Sequence, residues 1–385
     1  MNVTDRLLNV VKKQSRRLIG LMSGMSMDGV DLACVDIDGS FPDLRINLIG
    51  SHFRPYAADV IGRMQSARFG TTQDVSELNV LVASEFAACV ESFLHSSRID
   101  RDSIDAIGSH GQTLFHSMDT AIPSTLQVGS PSVISELTGI ITIGNFRVRD
   151  VAAGGQGAPL VSLADYLLFR DPEGPVALNN LGSISNVTVV TQSLDGIIAF
   201  DTGPANMAID YFVRATGSSP DGIDRDGKIS EHGRCIDGLL SSLIAAPFFD
   251  REPPKAAGYA EFGPPMLAAK SAPFMASPAA DLVRTGVDFA AVTLANAYRK
   301  FVLPRYPTLR KIILSGGGSH NPTLVSEIKR QLPGISVEIA SAEIADFKEA
   351  MAFAILANET LSGRPGSLPQ VTGAGRASVL GEISL

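Results

Sequence analysis

The chain has 385 residues, 45 % of them hydrophobic and 19 % charged, and carries a net charge of −8. That length allows two domains around large cores. Lys and Arg gather on no one segment, which argues against nucleic acid or an anionic membrane as the main partner.

Cys34, Cys89 and Cys235 are far apart, with no CxxC pair, and the histidines show no zinc spacing. A reduced, cytoplasmic setting is expected. Residues 1–17 place Lys12, Lys13, Arg16 and Arg17 after their apolar part, so they read as an N-terminal extension and not a signal peptide. No apolar run approaches the roughly 18 residues of a spanning helix, so no membrane partner is expected.

Residues 17–22 read as an apolar strand that breaks into Ser23-Gly24-Met25-Ser26-Met27-Asp28-Gly29 and resumes as an alternating strand over 30–37. Strand, Gly/Ser turn, strand is a hairpin. Its tip brings backbone N–H groups and hydroxyls together, as a phosphate requires. Asp28 and Asp31 would repel a bare phosphate but accept one carried on Mg2+. Any hairpin tip can be Gly- and Ser-rich, so the motif alone decides nothing.

Leu78, Val82, Phe86, Val90 and Phe93 predict a helix over 75–96 with an apolar stripe. A strand over 105–109 ends in His110-Gly111-Gln112-Thr113. His110 reads equally as a ligand or orienting group and as a packed, hydrogen-bonded histidine. Residues 140–143 lead to Asn145-Phe146-Arg147 and then to a glycine-dense loop over 150–159, suited to close backbone approach to a ligand.

The second half repeats this grammar. A strand over 176–181, a turn at Gly182-Ser183 and a strand over 185–190 come first. The apolar run 196–200 then stops on Asp201, Thr202-Gly203-Pro204 turns the chain, and residues 206–214 continue as a helix. An acid at the carboxyl end of a central strand is where open α/β sheets place chemistry, and a fixed carboxylate suits a general base. The competing reading of Asp201 is a helix cap. Two halves that open alike predict a duplicated α/β architecture.

Residues 222–228 look like a Walker A loop but lack Ser or Thr after Lys228, and Gly222 breaks an EF-hand pattern; an acidic surface turn is expected. The strand 311–315 runs into Gly316-Gly317-Gly318-Ser319-His320, after which Asn321 caps and Pro322 starts a helix. That order makes a nucleotide or phosphate seat. A last helix over 347–361 carries Glu349 in its first turns.

The runs 20–31, 110–116, 150–160, 180–188, 200–206, 316–322, 349–357 and 371–380, taken in order, resemble the anhydro-N-acetylmuramic acid kinases, a branch of the actin–hexokinase superfamily. The resemblance implies an α/β, two-lobed actin/hexokinase-like (ribonuclease H-like, duplicated) fold with a central nucleotide cleft. Lobe I would hold residues 18–140 and 346–385, and lobe II residues 141–345, usually in a homodimer. It implies ATP and Mg2+ as cofactors and a cytoplasmic role in cell-wall recycling. ATP would phosphorylate O6 of a 1,6-anhydro sugar while water opens the bridge at C1, giving N-acetylmuramic acid 6-phosphate.

By the same resemblance, Gly24, Met25, Ser26, Met27, Asp28, Gly29, Val30 and Asp31, with Gly316, Gly317, Gly318 and Asn321, would hold the nucleotide. Asp28 and Asp31 would take the metal. His110, Gln112, Arg147, Gln156, Asn186 and Asn206 would bind the sugar. Asp201 would be the base, and Glu349 would orient water or sugar, its plain reading being a helix-surface glutamate. Met25 stands where the family has Thr, Ser183 and Ala205 where it has Gly, and Asn145 where it has Asp; residues 253–261 lack its usual Ser-Thr and Arg. Three other functions remain open at this point. They are a kinase of another anhydro sugar such as levoglucosan, a plain hexose kinase with Asp201 acting on a sugar hydroxyl, and a nucleotide-switched actin-like protein that is not a kinase.

Overall fold

The computed structural model describes residues 3–24, 27–42, 44–67, 69–118 and 120–385. The chain forms two units, one of residues 1–168 and 346–385, the other of residues 169–345.

In the first unit, strands Ser15–Ser23 (β1) and Gly29–Asp38 (β2) form the expected hairpin, and Arg45–Pro55 (β3) adds antiparallel to β2. Ala106–Ser117 (β4) lies parallel to β1, Ser124–Val128 (β5) folds back on the far half of β4, and Thr142–Gly144 (β6) runs parallel to β4. The order is β6-β4-β1-β2-β3, with a C-terminal strand, Glu382–Ser384, beyond β6. Because β5 pairs with its second half, β4 continues through His110 and Gln112, where the sequence placed a strand end.

One face of this sheet is covered by the helix Thr72–Ser97, opened by a capping box between Thr71 and Asp74. Its stripe of Leu78, Val82, Phe86, Val90 and Phe93 packs on Ile19, Leu21, Leu32 and Ile107. By length and composition this helix is long and apolar enough to cross a membrane, contrary to the expectation of no such run, but half of that apolar window is buried in the protein. The other face takes the helix Ala342–Leu361 through two glycines. A Cβ on Gly20 of β1 would overlap the carbonyl oxygen of Ala350, and one on Gly108 of β4 that of Phe353. The helix lies this close to the sheet because both positions lack a side chain.

Two expected boundaries differ. Residues 3–17 are part of the first unit: Val3–Lys12 is helical, and Arg16 is buried, donating to the Val10 carbonyl at 2.9 Å and to Asn358 at 2.7 Å. Residues 141–168 also belong there, because β6 completes the first sheet and Gly155 and Gln156 pack on Ala374 and Thr372.

The second unit is built on Val176–Leu181 (β7), Ile184–Val190 (β8), Ile198–Pro204 (β9), Lys311–Ser315 (β10) and Ser336–Ile339 (β11). Its order is β11-β10-β7-β8-β9, with β7–β8–β9 antiparallel and β7–β10–β11 parallel. That is the order and sense of the first sheet, a ribonuclease H-like topology present twice. The helices Asn206–Thr216 and Ala279–Ala297 close the core through Ile209, Phe212, Val287, Phe289 and Leu294. The fold is thus the expected actin/hexokinase-like α/β class. One detail differs: β9, the Asp201 strand, is the edge strand, not a central one.

Candidate active site

Asp201 lies inside β9, three residues before its end at Pro204. It is not a helix cap; the N-cap of the Asn206–Thr216 helix is Ala205. An edge strand leaves N–H and C=O groups without a sheet partner. Residues 255–257 meet the edge at Asp201: its N–H donates to the Lys255 carbonyl at 2.9 Å, and its side-chain Oδ2 accepts from the Ala257 N–H at 2.7 Å. Burial pushes the Asp201 carboxyl up to about 6; the Ala257 N–H pulls it down, Glu261 pushes it up, and Lys255 pulls it down. Lys255 itself is buried, with Nζ 4.7 Å from the Phe248 ring centre and 4.5 Å from that of Phe301. Desolvation brings its ammonium down to about 8.

Register places Asn180 opposite Asn186 and Asn186 opposite Asp201, so three polar side chains line one face across β7, β8 and β9. The opposite face carries a buried chain of hydrogen bonds. Tyr298 donates to Asn179 at 3.2 Å, Asn179 to Ser185 Oγ at 2.9 Å, and Thr202 to the same Oγ at 2.7 Å. These bonds lock the strand ends that present Asp201.

The triple glycine has two separate reasons. Gly316 has φ +80° and no room for a Cβ beside Asn180 and Leu181, and Gly318 is closed in by Leu181. Gly317 is exposed and borders a cavity of about 380 Å3 together with Asn206, Asp210, Asp224, His320 and Asn321. Asn206 Nδ2 donates to the Leu181 carbonyl at 3.0 Å. Asn321 accepts from the Leu324 N–H at 3.1 Å, the expected cap, and donates to Asp224 at 3.1 Å. The 222–228 turn is therefore not wholly a surface feature: Asp224 is buried and also receives the Ser230 hydroxyl at 2.6 Å. Asp210 was not among the expected residues. It lies one turn after Asn206 on the same helix face, a spacing the sequence contains, and burial pushes its carboxyl up to about 6 against the pull of Arg214.

In the first unit, Met25 and Ser26 lie outside the described residues. Met27 has φ +55° with its side chain buried in the core, and Val30 is core as well, so both can meet a ligand only through backbone. A Cβ on Gly29 would meet the Arg54 carbonyl. Gln112 is fully buried beneath the hairpin, with Oε1 2.6 Å from Ser23 Oγ and Nε2 donating to the Gly24 carbonyl at 3.1 Å. The structure thus places the Gln112 side chain under the β1–β2 turn, with both its oxygen and its nitrogen engaged there.

Arg147 Nε donates to His110 Nε2 at 2.9 Å, while His110 Nδ1 lies 2.8 Å from the Gly111 carbonyl. This pairing fixes a neutral imidazole protonated on Nδ1, and burial and then Arg147 hold its pKa well below the usual range. Arg147 also reaches the Gly157 carbonyl at 3.2 Å; burial lowers it to about 10, with Glu349 pulling the other way. The glycine-dense loop is shaped by Asp150, which accepts from the Gly157 N–H and from Thr372, both at 2.8 Å, and leaves no space for a Cβ on Gly155. Gln156, the expected site residue of that loop, is exposed, as are Ala152 and Gly154. Glu349 is not a plain surface glutamate: burial raises its carboxyl, opposed by Lys348 and Arg147. Next to it Lys348 pairs with the buried Asp165 at 2.9 Å.

Asp31 is pushed up to about 7 by burial and then by Asp28, Glu349 and Asp346. A divalent cation relieves such repulsion, and carboxylate oxygens suit Mg2+. Among the described residues no group of three or more His, Cys, Asp or Glu side chains could hold an ion alone. The carboxylate oxygens of Asp31 and Asp28 are of the type that a hydrated, phosphate-bound Mg2+ takes.

The family model for anhydro-N-acetylmuramic acid kinase matches residues 16–385. The chain is 41 % identical over 397 residues to the anhydro-N-acetylmuramic acid kinase of Caldanaerobacter subterraneus subsp. tengcongensis, across 99 % of this chain and 100 % of that one. It is 38 % identical over 379 residues to that of Bacillus thuringiensis subsp. konkukian, across 95 % and 98 %. Among solved structures it aligns with a ROK family glucokinase from Streptomyces griseus in complex with glucose and AMPPNP, at TM-score 0.40 and 12 % identity, over 88 % of this chain and 98 % of that one. The chain belongs to the anhydro-N-acetylmuramic acid kinase family.

Proposed function

We propose that the protein uses ATP and water to convert anhydro-N-acetylmuramic acid into N-acetylmuramic acid 6-phosphate. The observation that carries the mechanism is Asp201, a half-buried carboxylate aimed by the Ala257 N–H and poised near 6, where a general base for water works at neutral pH. Asp201 takes a proton as the water oxygen bonds to C1. The C1–O6 bond breaks, and O6 takes the γ-phosphoryl group as ADP leaves. The departing oxygen needs little separate acid, because the phosphoryl group receives its electron pair.

In the second unit Asn186 and Asn206 are proposed to bind sugar hydroxyls, and in the first unit Gln156 and Arg147. His110 holds Arg147 in place, and Glu349 orients water or sugar. The β1–β2 turn would take the phosphates, and Asp28 and Asp31 would hold an Mg2+ ion that would supply neutralising charge. Gly317 passes beside the nucleotide. The acidic residues Asp210 and Asp224 disfavour phosphate in their cavity and suit the hydroxyls of the nucleoside instead. A cytoplasmic homodimer is the proposed setting, carried over from the family resemblance.

The test is ATP consumption by the purified protein with Mg2+ and either anhydro-N-acetylmuramic acid, levoglucosan or no sugar. Turnover with the first sugar alone is expected. Turnover with levoglucosan would move the substrate to a simpler anhydro sugar, and ATP turnover indifferent to sugar would favour the nucleotide switch. The curated relatives carry the kinase name, which favours the first reading over both.

A further inference from the structure

Lys13, Arg16 and Arg364 come from opposite ends of the chain and border one cavity of about 230 Å3 in the first unit, together with Gln14, Ser40 and Ser362. Among the described residues no acid lines it. The cavity lies where β1 begins, and the Ser23–Gly29 turn lies at the other end of that strand, about 27 Å away at the rise of an extended chain. It is therefore separate from the turn expected to take the phosphates of the nucleotide.

Arg16 is the fixed part of the wall, only 4 % exposed. It donates to the carbonyls of Val10 at 2.9 Å and Val11 at 2.8 Å, to Asn358 at 2.7 Å and to Ser362 Oγ at 3.0 Å. All four acceptors are neutral. A buried guanidinium bonded to no carboxylate lacks a direct counter-charge. Burial lowers its pKa, and Asp105 and then Glu359 pull the other way through space. Both of those acids stand behind the lining, Asp105 paired with Lys13 at 2.5 Å and Glu359 buried against Asn358.

The other two cations reach solvent. The Lys13 side chain is half exposed and gives Asp105 one of its three N–H groups; Arg364 is exposed and gives one to the Phe41 carbonyl. The surroundings are tied together: Asn358 donates to the Gly39 carbonyl at 3.3 Å, and the Gly39 N–H donates to the Gln14 carbonyl at 2.8 Å. Three cations that border one cavity, in a chain of net charge −8, call for an anion.

We propose that this cavity is an oxyanion site for a phosphate group, with Lys13 and Arg364 donating to it and Arg16 supplying positive charge from the wall. Phosphate accepts from many directions and both donating side chains are flexible, so the site requires no fixed spacing between them. The group has two sources, the free ion and a phosphate monoester.

Calorimetric titration of inorganic phosphate and of glucose 6-phosphate tests the site. Mg2+ and a non-hydrolysable ATP analogue are present to fill the nucleotide site. Phosphate is expected to bind, and Arg364→Gln and Lys13→Gln each to weaken it about tenfold, the least that one charge-assisted hydrogen bond is worth. Neither residue takes part in the proposed reaction, so kcat should stay unchanged in both. Ser40→Glu places a carboxylate in the lining and should abolish binding; melting curves check that all three variants fold. Glucose 6-phosphate binding that the same variants weaken makes this a monoester site, and loss of phosphate binding alone restricts it to the free ion. No binding of either, or binding unmoved in all three variants, overturns the site and leaves the kinase reading standing. Absence of turnover with every sugar would remove the kinase reading, while the variants still decide the site.

Discussion

The N–H of Ala257 donates to Oδ2 of Asp201 at 2.7 Å, so the carboxylate takes its direction from main chain and not from a neighbouring side chain. With the Lys255 carbonyl accepting the Asp201 N–H, residues 255–257 act as a short substitute for the strand β9 lacks at the sheet edge. Backbone contacts tolerate side-chain change. The altered composition of residues 253–261 is therefore compatible with an intact base.

Asp201→Asn keeps an oxygen for the Ala257 N–H but cannot accept a proton. The variant should fold, bind nucleotide with nearly unchanged affinity and lose at least about 100-fold in kcat, the low end for a general base. Nucleotide titration with steady-state turnover checks this. Activity within a few-fold of wild type would remove Asp201 as the base.

The pH dependence follows from burial, which raises Asp201 to about 6. Below that value the group is protonated and cannot act as base, so kcat/KM should fall as pH drops through about 6. The stability effect has the opposite sense. A carboxyl whose pKa is raised on folding favours the folded state when protonated, and that contribution is lost as pH rises through the folded value. Asp201→Asn should therefore raise Tm relative to wild type more at pH 8 than at pH 5, read by melting curves at both.

Gly20→Ala places a methyl group against the Ala350 carbonyl and must push back the helix that carries Glu349. Overpacking of this kind costs roughly 1–3 kcal/mol or more, and activity should fall with stability. Gly62→Ala serves as the contrast: it lies within the helix Ala58–Ala67 with nothing close to its missing Cβ, and should gain about 0.5–1 kcal/mol. Chemical denaturation separates the two.

Arg147→Lys keeps the charge but loses the fork that holds both His110 and the Gly157 carbonyl. A loss of roughly 10–100-fold in kcat/KM is expected from misplacement. Kinetics beside a melting curve distinguish this from unfolding, which would move both.

The elements legible in the sequence were those with local signals. The β1–β2 hairpin, the stripe of Leu78 to Phe93 and the Asn321 cap each follow from residues close in the chain. What escaped depends on distant partners. Gln112 is drawn under the hairpin by Ser23 and Gly24, and His110 lies mid-strand because β5 returns to pair with β4. Gly154, Gly155 and Gly157 read as a ligand loop from their density alone, whereas the packing of Gly155 and Gly157 against Asp150 and Val151 depends on the fold of the unit. One departure from the family pattern explains itself locally: Asn145 adopts φ +59°, which Asn tolerates. The duplication expected from the two similar openings is completed by the strand order of β7–β11, which leaves little mark on residue identity.

The central claim is that Asp201 activates water against C1 while O6 receives phosphate. One turnover in 18O-labelled water, followed by mass spectrometry of the sugar product and of its dephosphorylated form, tests it most directly. To exclude later exchange at the anomeric carbon, the product is reduced to the alditol as soon as it forms. The mechanism predicts one 18O on C1 and none in the phosphoryl group. A phosphorylated sugar with no label on C1 would contradict it and make Asp201 the base for a hydroxyl instead.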